Sequence, residues 1–335
     1  MSQAIPLIRA SAIAPMRRWL DENGRDTKAF LDEADLNWVP ENDPFLPIPL
    51  RNAAYLLRAI ARAEGPDAPH RIVGGRGGFE LGLIGAEALC AKTLREAFHR
   101  VARAMQFHCT HEIFIASDGP DGLHIGDGWS VSLGDDEMQH LLQQYVTASV
   151  DMICTVAAGP PPCITRVGIV PHPNTGLAHL KSWLGERVYE NGRRMLDLEI
   201  ANELADLPIP EEVREKMAQL VEGDRPPLPK FKTLTEYVGF LVETMLPVTK
   251  PTIGRLAFAS GSSQRTLQRR LKSDGLSFAQ IVDNTRARIA MNRLKHPDRP
   301  ALNQLAQELG YSDQATLTRA VQRWSGKLPS DIHKN

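Results

Sequence analysis

Leu256-Ala-Phe-Ala-Ser-Gly-Ser-Ser-Gln-Arg265-Thr-Leu-Gln-Arg-Arg-Leu271 is the stretch whose reading decides the fold of the C-terminal third. Thr252–Ala259 predicts a short helix, with Ile253, Leu256 and Ala257 turned inward. Ser260-Gly261-Ser262 predicts a turn, since glycine reaches positive φ without a Cβ clash and Ser262 can cap the next helix. Ser263–Ser273 predicts that second helix and puts Leu267 and Leu271 on one face. At about 100° per residue, Arg265 and Arg269 fall roughly 200° from Leu267, flanked by Gln268 and Lys272. A short helix, a glycine turn and a helix with an Arg/Gln outer face make a helix-turn-helix. Arginine can take guanine O6 and N7 together, and glutamine can take adenine N6 and N7. One such motif is weak evidence, because helical hairpins with glycine turns are common in bundles that bind nothing.

The motif recurs. Phe278–Leu294 predicts a connecting helix with Phe278, Ile281, Val282, Ile289 and Leu294 as its apolar residues. Leu302–Leu309 predicts a short helix, Gly310-Tyr311-Ser312 a turn, and Asp313–Trp324 a further helix. On that last helix Leu317, Val321 and Trp324 share the inner face. Ala315, Arg319 and Gln322 share the outer one, with Thr316 at its edge. Gly261 and Gly310 read as turn residues rather than as binding groups. Upstream, Thr233-Leu-Thr-Glu236 is a capping-box pattern that opens a helix through Leu246, closed by Pro247. Charge agrees with this reading. From Lys250 onward there are 15 Lys and Arg against 6 Asp and Glu, a net of +9; the remainder carries 24 against 34, a net of −10. A basic tail on an acidic body points to a polyanion, because clustered cations displace the counterions condensed on nucleic acid.

The rest of the 335 residues, 42% of the chain being apolar, suffices for at least one more cored domain. Residues 1–64 read as helices: Arg17–Leu20, Ala29–Leu36 and Leu50–Ala63. Thr93–Gln106 is another. Strands are predicted at His111–Ala116, Leu123–Ile125 and Trp129–Leu133, with Asp118-Gly119-Pro120-Asp121-Gly122 and Gly126-Asp127-Gly128 as turns. Glu137–Ala157 predicts a long helix that stops at Gly159-Pro160. Thr165–Val170 and Met195–Ile200 predict strands around a helix at Gly176–Leu184. The expected organisation is an α+β N-terminal domain over 1–206, a Pro-rich, partly helical connector over 207–232 with a helix at Glu211–Val221, and an all-α double helix-turn-helix DNA-binding domain over 233–335.

The tail resembles the C-terminal domain of AraC-type regulators. Leu256 to Gly261, Arg265 to Leu271, and Gly310-Tyr-Ser-Asp-Gln-Ala-Thr-Leu-Thr-Arg319 through Trp324-Ser-Gly-Lys-Leu-Pro329-Ser330 carry the likeness. The resemblance implies two recognition helices entering successive major-groove faces about 34 Å apart. It implies base-edge contacts from Arg265, Gln268 and Arg269, and from Ala315, Thr316 and Arg319, with Lys272 and Gln322 on the same outer faces. Leu317 and Val321 stand where relatives often have Phe, which keeps an apolar core. Ala315 offers only a methyl, so the second helix is expected to read fewer bases and to lean on phosphates. Gly82-Leu-Ile-Gly85 followed by Thr93-Leu-Arg-Glu-Ala97 resembles the arabinose-binding-like N-terminal domain of a subgroup of these regulators, which implies effector sensing and self-association.

Other chemistry is thin. Cys90, Cys109, Cys154 and Cys163 form no CxxC pair and read as reduced core thiols. Gly74-Gly-Arg-Gly-Gly78 lacks the Gly-Lys-Ser/Thr of a phosphate loop and reads as a turn. His108, Cys109 and His111 sit where a helix gives way to a strand, either as metal ligands or as structural residues. Trp129, Tyr145 and Trp183 either line an apolar effector pocket or pack the core; Trp129, Tyr145 and His111 are the ligand-binding candidates. There is no Gly-x-Ser-x-Gly, His-Glu-x-x-His or dinucleotide fingerprint, so no enzyme, cofactor or metal is expected. Neither a signal peptide nor an apolar run of about 18 residues appears, which predicts a soluble cytoplasmic protein with no membrane span. The expected function is that of a ligand-responsive transcription activator acting as a homodimer. Its partners would be double-stranded promoter DNA, a small-molecule effector and RNA polymerase. The alternatives are a metal or enzymatic sensor fused to the same tail, and a regulator that needs no effector.

Overall fold

The computed structural model describes residues 4–74, 82–221, 227–296 and 298–334. It falls into two compact units, Pro6–Lys230 and the chain from Phe231 onward. The glycine-rich run after Gly74 lies outside the described residues.

The first unit is α+β. In it β1 (Leu7–Arg9) precedes α1 (Ala14–Glu22) and α2 (Thr27–Glu33), and β2 (Pro47–Pro49) leads into α3 (Leu50–Glu64), α4 (Ala68–Val73), α5 (Gly82–Leu89) and α6 (Leu94–His108). Then come β3 (Glu112–Asp118), β4 (Gly122–Trp129), α7 (Asp136–Ala158), β5 (Arg166–Ile169), α8 (Lys181–Leu184), β6 (Val188–Glu190), β7 (Leu196–Ala201), α9 (Asn202–Ala205) and α10 (Glu211–Val221). The main sheet has the order β3-β4-β7-β5-β6, antiparallel except for β5 with β6. Register explains its sidedness. Leu123 lies opposite Ile200 and Ile125 opposite Leu198, all four fully buried, while the alternate positions of β7, Asp197 and Glu199, are more open. Each such buried Leu or Ile contributes roughly 1.5–3 kcal/mol. The long helix α7 supplies much of the rest, with Met138, Leu141, Val150, Ile153 and Cys154 buried around its surface.

Several local expectations are corrected. Residues 1–64 are not all helical: β1 pairs with β2, Leu7 opposite Pro49. Trp129–Leu133 is not a strand of its own, and Gly126-Asp127-Gly128 is not a turn, since one strand runs unbroken from Gly122 to Trp129. A Cβ on Gly126 would press on Met195 Cε at 3.0 Å, while one on Gly128 would make an ordinary contact with Met195 Cγ at 3.6 Å. The helix expected at Gly176–Leu184 shrinks to a 3-10 turn at Ala178–Leu180 and the four-residue α8. Helix α10, in the stretch read as connector, packs against α5 within the first unit. Cys109, Cys154 and Cys163 are buried, Cys90 is partly so, and all four are free thiols.

His140 of α7 is fully buried. Its Nδ1 lies 2.6 Å from Val170 O and its Nε2 2.9 Å from His179 Nε2, with His172 edge-on to both rings. Burial pushes its pKa down to about 4, against about 6.5 in an unfolded chain. Between those values the unfolded state binds the extra proton, so the contribution is complete above pH 6.5 and is lost as pH falls toward 4. His140→Gln should therefore make the loss of stability between pH 6.5 and 4.5 shallower by about 1 kcal/mol per pH unit, read from urea midpoints across that range.

The second unit is helical: α11 (Leu234–Met245), α12 (Ile253–Ala259), α13 (Gln264–Ser273), α14 (Phe278–Lys295), α15 (Leu302–Glu308) and α16 (Gln314–Ser325). Local signals set the starts. Thr233 and Glu236 form the capping box of α11, Ser277 and Gln280 that of α14, and Thr252 and Asp313 cap α12 and α16. The cap of α13 is Ser263 rather than Ser262, through a 3.1 Å bond to Thr266 N. Around α14 to α16, Ala290, Leu294, Leu305, Ala306, Leu309, Leu317, Val321 and Ile332 form one buried apolar cluster.

Candidate nucleic-acid interface

The two helix-turn-helices repeat each other at the level of backbone hydrogen bonds. In the first turn Gly261 N donates to Phe258 O (3.0 Å) and Ser262 N to Ala257 O (3.0 Å). In the second, Gly310 N donates to Gln307 O (2.9 Å) and Tyr311 N to Ala306 O (2.9 Å). Both glycines sit in the left-handed region, at φ 64° and 68°, so the same left-handed cap closes α12 and α15. A side chain at Gly310 has a second cost: its Cβ would meet Arg286 Nη2 at 3.3 Å. Gly310→Ala should destabilise the second unit by about 1–2 kcal/mol, measured as a lowered urea midpoint of that unit.

Each turn aims the helix after it. On α13, Leu267 and Leu271 are fully buried, while Arg265, Gln268, Arg269 and Lys272 are all exposed. Among the described residues no acidic side chain pairs with those three cations. On α16, Leu317 and Val321 are fully buried, Ala315, Arg319 and Gln322 are exposed, and Thr316 is half-buried. Here the outer face is already engaged. Asp313 takes the Thr316 N–H at 2.7 Å and its hydroxyl at 3.1 Å, which holds the Asp313 carboxyl below its usual range. Arg319 Nη2 in turn donates to Thr316 Oγ1 at 3.0 Å. Arg265 and Arg269 form no ion pair that a partner would have to break, whereas Arg319 has a hydrogen bond to give up.

Two residues of α14 that sequence reasoning passed over hold the second motif in place. Arg286 donates Nε to Leu309 O at 2.8 Å and lies 4.6 Å over the Tyr311 ring, so it clasps the turn. Asp283 accepts Trp324 Nε1 at 3.0 Å and Arg323 Nη2 at 2.6 Å, pinning the end of α16. The signal available was the spacing of the two: charges at i and i+3 on an otherwise apolar helix face share one side of it. Trp324 thus carries a structural role, half-buried against the cluster.

The ligand candidates of the first unit separate. Trp129 and Tyr145 line one apolar cavity of about 110 Å³, together with His108 and with Glu112, a residue that sequence reasoning passed over. His111 is not among its walls; its Nδ1 sits 2.6 Å from Thr110 Oγ1. Trp183 is elsewhere, stacked on His70 at 4.0 Å and donating to Asp151 at 2.9 Å. Among the described residues no three His, Cys, Asp or Glu side chains are placed to hold a metal ion, so His108, Cys109 and His111 do not converge as ligands.

Two recognition helices on one connecting helix, each with an outward polar face, define a double helix-turn-helix DNA-binding domain. Residues 256–335 match the family described as the helix-turn-helix domain. The chain is 27% identical over 332 residues to the HTH-type transcriptional regulator VirS of Mycobacterium tuberculosis, covering 96% of this chain and 95% of that one. Over 84 residues it is 37% identical to the ornithine utilization regulator of Pseudomonas aeruginosa, which is 25% of this chain and 24% of that one. Over 106 residues it is 33% identical to the HTH-type transcriptional regulator RipA of Corynebacterium glutamicum, 31% of either chain. The C-terminal domain is an AraC-type helix-turn-helix domain, and the chain is a DNA-binding transcription regulator. No described helix is long and apolar enough to cross a membrane.

Proposed function

We propose that the chain is a ligand-responsive transcription activator that binds promoter DNA in the cytoplasm as a homodimer and contacts RNA polymerase there. Arg265, Gln268 and Arg269 read base edges, and Lys272 and Gln322 meet the backbone. Ala315, Thr316 and Arg319 supply a weaker second readout. The observation that carries this reading is the α13 face, with three exposed cations and a glutamine free of acidic partners. The α+β unit is the sensing and dimerising domain. Support for its sensing role comes from the apolar cavity, since small-molecule sites are concave, mostly apolar and edged by a few polar groups. Support for pairing comes from the edge strand β3, which leaves Ile113 and Ile115 45% and 48% exposed, because an exposed apolar edge invites another chain.

The test has three readouts on one preparation of the full chain. Genomic fragments selected by the protein should share a two-part site with half-sites about one helical turn apart. Sedimentation should give a dimer. A reporter driven by a selected promoter should rise when the matching metabolite from a broad panel is supplied. Selected fragments with no common site would overturn the DNA reading, and a reporter indifferent to the whole panel would overturn the ligand-responsive one.

A further inference from the structure

The cavity in the first unit is walled by carbon from α1, α3, α6 and α7, with Met16, Leu57, Phe98, Val101 and Leu142 among its contributors. At the sheet it meets polar groups that lack partners. His108 Nδ1 is buried with no hydrogen bond, and so is Trp129 Nε1. Glu112, which also lines the cavity, sits opposite Trp129 in the β3–β4 register. Asp127, two residues before Trp129 on β4, is fully buried, and its carboxyl pairs with that of Glu112; burial and that neighbour hold it well above the ordinary carboxylate range. Buried donors and acceptors are nearly always paired, and an unpaired group at a cavity wall is what a ligand would satisfy. No Lys or Arg lines this cavity.

Those groups ask for one kind of head. Trp129 Nε1–H can only donate, so the ligand must accept there. The Glu112 carboxyl accepts, so the ligand must also donate, and the open His108 nitrogen takes either role according to its tautomer. A hydroxyl does both. An ammonium donates without accepting, and a carboxylate accepts without donating and meets Glu112 with no cation to offset it. Size limits the body: an apolar cavity of roughly 150 Å³ holds benzene, so one of about 110 Å³ admits at most a single ring or a chain of no greater bulk. We propose that this cavity is the effector site and that it selects a small, neutral, single-ring or equally compact apolar molecule carrying a hydroxyl. Burial keeps His108 unprotonated, lowering its pKa to about 4, and pushes the Glu112 carboxyl up to about 7, so neither presents a full fixed charge to a neutral head. The inference rests on the ligand-responsive reading and adds the site and the chemistry.

Four probes with one ring and different heads test it by calorimetric titration of the full chain at pH 6, below the Glu112 value of about 7: benzyl alcohol, toluene, benzylamine and benzoate. Benzyl alcohol should bind at least tenfold more tightly than the other three. Trp129→Phe keeps the bulk and removes the donor, so it should bring benzyl alcohol down to the level of toluene while toluene itself is unchanged. Val146 also lines the cavity, so Val146→Phe narrows it and should weaken both at least tenfold. Equal binding of toluene and benzyl alcohol by the parent would overturn the hydroxyl selection, as would tighter binding of benzoate or benzylamine. Unchanged binding of benzyl alcohol by Val146→Phe would overturn the site. Should no probe bind, the cavity proposal falls. The ligand-responsive reading is decided apart from it, by whether the reporter responds to any metabolite of the broad panel.

Discussion

Alanine at both Arg265 and Arg269 should lower affinity for a selected operator by about 30-fold to 10⁴-fold. Each lost bidentate base contact costs about 1–3 kcal/mol, and about 1.4 kcal/mol is a factor of ten. The loss should come without any loss of stability. Both side chains are exposed and form no ion pair among the described residues, so truncation removes no contact that folding uses. Fluorescence anisotropy with labelled operator, read beside a thermal melt, separates the two effects. A second comparison separates base reading from charge. Against a scrambled duplex the double variant should lose much less, because phosphate attraction alone holds that complex. Lys272→Ala should behave in the opposite way, weakening both duplexes alike and lowering the slope of log K against log salt by about 1. Parent-like affinity of the double variant would remove α13 as the reading helix.

The two halves of the chain differ in how much of them could be read from sequence, and the reason is the distance over which their structure is decided. Five of the six helices of the second unit follow from periodicity and from caps that lie within three residues of the helix they start, such as Thr233 with Glu236 and Asp313 with Thr316, while α15 follows from periodicity alone. Even there the miss was non-local: Arg286 and Asp283 matter through Leu309, Tyr311 and Trp324, which lie far along the chain. In the first unit non-local terms dominate. β1 and β2 are three-residue strands that exist because Leu7 meets Pro49. Gly126 and Gly128 carry a turn's composition, yet they form strand because they pair with Ile115 and Ile113 of β3. Of the three aromatics open to either pocket or core, Trp129 and Tyr145 share a cavity while Trp183 stacks on His70. A cavity is the hardest feature to foresee, being the place where several distant segments fail to fill space.

Leu317→Ala should produce the mirror image of the arginine variant: a large loss of stability with the reading face left intact. Leu317 is fully buried in the cluster formed by Leu294, Leu305, Leu309, Val321 and their neighbours. Removing its side chain there costs about 2–5 kcal/mol, the lost transfer energy plus the void that a close-packed cluster only partly closes. A domain of this size loses about 4–8 °C of melting temperature per kcal/mol, so the second unit should melt on the order of 10–40 °C lower. The first helix-turn-helix keeps its own buried residues, Leu256, Leu267 and Leu271, and Arg265 and Arg269 stay where they are. Operator affinity measured at 10 °C should therefore stay within about tenfold of the parent and collapse on warming through the lowered transition. Saturating operator should restore part of the lost melting temperature, because DNA binds the folded domain alone. The arginine variant can show no such rescue, having lost the contacts rather than the fold. If Leu317→Ala melted with the parent, the cluster would not be the core of the second motif, and the outward face of α16 would lose its physical basis.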